Sequence, residues 1–109
     1  MSSLPIIPRE LARRDAEQAV DHYLDEAGRD VAYSFIDALE AAYAQIAENP
    51  AASSPRWGYE INLPGLRSYK LKRFPYLVFF MAREDHVDVW RVLHTQRDIP
   101  SWLQDGEED

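Results

Sequence analysis

From Arg9 to Ala27 the apolar positions Ala12, Ala16, Ala19, Val20, Tyr23, Leu24 and Ala27 recur three and four residues apart. That spacing is one stripe of an amphipathic helix. Gly28 is placed to end it, because glycine takes the positive φ of a helix C-cap without steric cost. A second stripe follows at once, through Ala32, Phe35, Ile36, Leu39, Ala42, Tyr43 and Ile46. Asp30 is its expected N-cap and Asn49-Pro50 its stop, since the residue before a proline disfavours helix. Two helices so closely joined pack as an antiparallel hairpin.

Residues 50–65 hold prolines at 50, 55 and 64, glycines at 58 and 65, and the pair Ser53-Ser54, the composition of a loop. From Leu66 the period becomes two. Leu66–Lys72, Tyr76–Ala82 and Val87–His94 are rich in β-branched and aromatic residues and are separated by tight connections, which predicts an antiparallel meander. The middle run is apolar on both faces and belongs at the centre. In the last run Val87, Val89, Arg91 and Leu93 alternate with Asp88, Trp90, Val92 and His94. Leu4–Ile7 reads as a further strand, held to a sheet edge by Pro5. Ile99–Leu103 is a closing turn anchored by Trp102, and residues 105–109 form a disordered acidic tail, leaving residues 1–104 as a single domain. The order β-α-α-β-β-β defines an α+β fold in which the helical hairpin packs on one face of a small, mainly antiparallel sheet. Phe35, Tyr43, Phe79 and Trp90 are expected between hairpin and sheet. The other sheet face has no helix assigned to it and is expected to be bare. An apolar surface left open on so small a domain favours self-association into a homodimer.

Composition narrows the function classes. A hydrophobic fraction of 46%, with six Tyr, four Phe and three Trp, excludes a wholly disordered chain. The absence of cysteine excludes disulfides and thiol chemistry. No apolar run reaches the ~20 residues of a membrane span, which makes the cytoplasm the expected location. No His/Asp/Glu spacing suggests a metal site, no glycine-rich phosphate loop occurs, and no cofactor is expected. Ser53-Ser54 lacks the pattern of a nucleophile elbow. The net charge of −7 is uneven: residues 1–55 carry four basic and ten acidic side chains, residues 56–104 eight and five, and residues 105–109 four acidic ones. Such a total opposes direct, stable nucleic-acid binding, yet the second half can build a local basic surface.

The helix-ending Asn49-Pro50, the segment Leu63-Pro64-Gly65-Leu66-Arg67-Ser68-Tyr69-Lys70 leading into Tyr76-Leu77-Val78-Phe79-Phe80, and the ending Val89-Trp90-Arg91-Val92-Leu93-His94-Thr95-Gln96-Arg97-Asp98-Ile99-Pro100 all follow a two-helix hairpin containing Ala32-x-x-Phe35-Ile36-x-Ala38-Leu39. In this order and spacing the chain resembles the RelE/ParE toxin family of type II toxin–antitoxin systems over residues 4–103. The last strand and its Arg-x-x-His-x-x-Arg-Asp ending are closer to the ParE branch. The resemblance implies a small toxin that inhibits DNA gyrase by binding and is neutralised by a ParD-like cognate antitoxin. The alternative it implies is a RelE-like, ribosome-dependent mRNA endoribonuclease.

On the gyrase reading the chain has no catalytic residues of its own. Its partner-binding residues are Tyr69, Lys70, Lys72, Tyr76, Arg91, His94, Arg97 and Trp102. Metal-free RNA cleavage needs cations around the phosphate and an acid for the leaving oxygen; Arg67, Lys70, Lys72 and Arg91 are the candidate cations and His94 the candidate acid. Each has a plainer role: lysines on strands protect edges, and Arg91, set in an apolar series, either serves a partner or joins an internal ion pair. His22 and His86 read as solvated surface.

Overall fold

A computed structural model describes residues 3–107. Strand β1 (Ile6–Pro8) leads into helices α1 (Glu10–Ala27) and α2 (Arg29–Glu48), followed by the short helix α3 (Arg56–Glu60). Strands β2 (Leu66–Lys70), β3 (Tyr76–Ala82) and β4 (Val87–His94) and helix α4 (Ile99–Glu107) complete the chain. The sheet order is β1-β4-β3-β2, with β1 parallel to β4 and the other pairs antiparallel.

Gly28 joins the two long helices at φ 95° and donates its N–H to the Tyr23 carbonyl. Its own carbonyl accepts from Ala32, so α2 begins from Gly28, and Asp30, expected to cap it, lies within the first turn. The facing stripes carry small residues, Ala12 and Ala19 on α1 and Ala32 and Ala42 on α2, all buried. They let the helices close on each other while Phe35 and Ile46 reach down to the sheet. Below them lie Val87, Val89 and Val92 of β4 and Val78 and Phe80 of β3. At one end Phe35, Phe74, Tyr76 and Tyr23 pack ring against ring, with Phe35–Tyr76 centroids 5.1 Å apart.

Two expectations about the sheet are overturned. Strict alternation on β4 fails, because Phe80 pairs with Val89 and Phe79 with Arg91, leaving Trp90 as the extra residue of a β-bulge. One additional residue reverses the side-chain parity. Val87, Val89 and Val92 therefore face the hairpin, while Trp90 and Leu93 face the opposite side. Phe79 and Trp90, expected under the hairpin, sit on that opposite side as well.

Nor is that side bare. Leu66, Phe79, Trp90 and Leu93 form a second core with Ile99 and Leu103 of α4, and Trp57, Ile61 and Leu63 pack against it. The loop through α3 and the closing helix supply the cover that the two-helix count lacked. Gly58 seats α3 by close approach: a Cβ there would lie 2.6 Å from the Leu66 carbonyl oxygen and 2.8 Å from that of Leu63. The closing turn is also longer than expected, since α4 runs helically to Glu107 through the start of the segment assigned to a disordered tail. Residues 108–109 of that segment lie outside the described residues.

Candidate binding cleft

The sheet ends unevenly, and this builds the cleft. Strand β1 pairs β4 only as far as Val89, so the outer edge of β4 lies open beyond it. Asp15 of α1 fills the gap. Its Oδ2 accepts the Val92 N–H at 3.0 Å, and its two oxygens accept Arg91 Nε and Nη2, each at 2.7 Å. The remaining guanidinium nitrogen of Arg91 donates to the Trp102 carbonyl at 2.9 Å. Arg91 is 4% exposed. Of the two roles open to it, the structure shows the internal ion pair, one that ties α1, β4 and α4 together.

Trp102 lies under two cations, with Arg97 4.5 Å and Arg91 5.3 Å from its ring centroid. His94 accepts the Gln96 N–H at Nδ1, 3.1 Å away, so that nitrogen carries no proton and Nε2–H is the donor left over. The His94 ring meets Tyr76 edge-on at 5.2 Å. Tyr76, expected on a partner surface, is buried in the hairpin-side core, and only its polar tip has a route outward. Burial pushes its phenol upward, as does Tyr23, while Arg97 works the other way.

Between α1 and the β4–α4 connection these groups line an open cleft of about 440 Å³. Its walls include Gln18 and His22 from α1, Tyr76 from β3, His94 at the end of β4, and Gln96 and Arg97 beyond it. His22, expected on solvated surface, and Gln18, to which the sequence gives no role, both line the cleft. The signal that finds them is helical: positions 15, 18, 19 and 22 form one i, i+3, i+4, i+7 row beside the apolar stripe.

The other sequence-named residues divide into two groups. Lys70 and Lys72 are exposed, and Arg73, exposed in the turn after them, adopts φ 71°. Leu71 donates to the Tyr76 carbonyl and Tyr76 pairs with His94. Lys70, Lys72, Arg73, His94 and Arg97 therefore share one end of the sheet, with β2 and β4 about 10 Å apart. Among the described residues none of these five is in an ion pair. Tyr69 is half-buried against the hairpin-side core. Arg67 is turned inward, donating to the Ser53 carbonyl at 2.7 Å. The five residues of the nuclease alternative do not converge: Arg67 is bound to the Ser53 loop at β2, and Arg91 to Asp15 at the far edge of β4.

Asp88, midway along the β1–β4 pairing, accepts from Arg9, Arg83 and Trp90 Nε1. Burial alone would raise its pKa, but hydrogen bonds from Arg9 and Arg83 outweigh it and hold the carboxyl below its ordinary value. No cluster of three metal-ligating side chains occurs among the described residues, and no helix there is long and apolar enough to cross a membrane.

A sequence profile for the ParE toxin of the type II toxin–antitoxin system, parDE, matches residues 6–99. No curated protein matches the chain by sequence. The fold is similar to that of a chain from a solved structure described as the chromosomal ParDE TA system from P. aeruginosa. The two align with a TM-score of 0.70 at 19% identity, covering 84% of this chain and 96% of that one.

Proposed function

The chain belongs to the ParE toxin family of type II toxin–antitoxin systems, and on that premise we propose that it acts in the cytoplasm as a toxin that inhibits DNA gyrase by binding it. A ParD-like cognate antitoxin holds it inactive. The observation that carries the reading is the family match, which spans both long helices and all four strands. With the second sheet face covered from within, the contact surface is the end of the sheet where Lys70, Lys72, His94 and Arg97 stand beside Trp102 and Tyr69. Lys70, Lys72 and Arg97, without ion-pair partners among the described residues and set around half-buried aromatic groups, suit an acidic protein partner and steer its approach. The acidic outer faces of α1 and α2 suit a basic stretch of the antitoxin by the same rule.

Buried in its pair with Asp15, Arg91 has no free guanidinium to offer an RNA phosphate, which favours binding over cleavage. The test is a gyrase supercoiling assay with the purified chain. Supercoiling should stop, a Lys70→Glu/Arg97→Glu variant should restore it, and co-translated mRNA should stay intact. Normal supercoiling with codon-positioned cuts in the transcript would replace this reading with the ribosome-dependent nuclease.

A further inference from the structure

We propose that the cleft between α1 and the β4–α4 connection is a binding site for a phosphate monoester of nucleotide size. Among the described lining residues Asp15 is the one carboxylate, and it is already spent: it accepts from Arg91 Nε and Nη2 and from the Val92 N–H. What remains along the walls donates. Arg97 has no carboxylate partner among the described residues. His94 is held by the Gln96 N–H in the tautomer whose Nε2–H is free. Among the described residues the Tyr76 hydroxyl makes no hydrogen bond and no buried side-chain polar atom lacks a partner, so this hydroxyl meets the cleft's solvent. His22 faces them from α1.

Donors converging from a helix, two strands and a loop suit a tetrahedral oxyanion better than a flat carboxylate, which a single guanidinium fork satisfies. The cationic end of the sheet adjoins the opening and raises the local concentration of anions there. Size sets the rest of the ligand. At about 440 Å³ the cleft falls in the range of small-molecule sites. A bare phosphate, the bulk of a few waters, would leave most of it unfilled. The amides of Gln18 and Gln96, each able to donate and accept, fit the mixed polar edge of a nucleobase.

This inference stands apart from the gyrase reading, and its test needs no gyrase. Calorimetric titration of the full chain with 5′-AMP, adenosine and inorganic phosphate should give AMP the tightest binding, by about tenfold or more over either fragment. Arg97→Gln and His94→Phe should each weaken AMP by about tenfold, the latter keeping a ring against Tyr76. Arg29→Gln, which removes an exposed charge away from the cleft, should leave the affinity unchanged. Unaltered thermal melts of the three variants exclude misfolding as the cause. A 5′-phosphorylated single strand that outcompetes AMP assigns the ester to a strand end, and one that does not assigns it to free nucleotide; either outcome upholds the site. The proposal fails if AMP does not bind at millimolar concentration, if adenosine binds as well as AMP, or if Arg29→Gln weakens binding as much as Arg97→Gln.

Discussion

Replacing Asp15 by alanine is expected to be among the most damaging single changes in this chain, although the residue lies on a helix rich in exposed carboxylates. The substitution removes both short bonds to the Arg91 guanidinium and the acceptor of the Val92 N–H. Arg91, 4% exposed, then keeps only the Trp102 carbonyl. Breaking a buried ion pair by deleting one partner costs about 3–5 kcal/mol, and stranding a buried backbone N–H about 1–3 kcal/mol. Water entering from the adjoining cleft relieves part of both, so a loss of about 4 kcal/mol is the working figure. Against a typical total of about 5–15 kcal/mol this is a large share, and it lowers the melting temperature by roughly 15–30 °C. Urea unfolding followed by circular dichroism measures it. The companion variant Asp15→Ala/Arg91→Met removes both charges and should recover at least about 2 kcal/mol of the loss. An Asp15→Ala protein within about 1 kcal/mol of wild type, or a double variant whose losses simply add, would refute the claim that this pair closes the β4 edge.

Gly58→Ala should destabilise by about 1–3 kcal/mol, because the new methyl group meets two backbone carbonyls that cannot swing aside; Trp57 fluorescence should shift red as α3 lifts from the second core. Tyr43 has its phenol pushed up to about 12, first by burial and then by Asp15. Its folded value lies above the unfolded one, so its contribution is whole below about pH 10 and is lost as pH rises toward 12, about 2–3 kcal/mol in all, readable in urea midpoints against a Tyr43→Phe control. Asp88 moves the opposite way, its folded pKa being below the ordinary value. Its contribution is present above about pH 4 and fades as pH falls through the folded value, so Asp88→Asn should flatten the acid limb of the stability profile.

The hairpin and the meander were legible in the sequence because each rests on short-range pattern: stripes three and four apart on α1 and α2, alternation along β2, an unbroken apolar run for β3, and a glycine between the helices whose φ of 95° no other residue adopts cheaply. The cationic residues at one end of the sheet were legible too, as residue types if not as neighbours. Three features were decided only by the folded chain. The bulge at Trp90 depends on how β4 registers against β3, and one unpaired residue moved Val92 and Leu93 to faces opposite those an alternating count assigns. The second core draws on a proline-rich loop and a closing helix whose apolar residues carry no period of their own and are gathered by the face they cover. Asp15 and Arg91 stand 76 residues apart. Nothing local marks one as the other's partner, and only the early end of β1 leaves the gap that brings them together and opens the cleft beside them. Periodicity records which way a side chain points relative to its own segment; where segments stop, slip by one residue or cover one another is settled by packing between them.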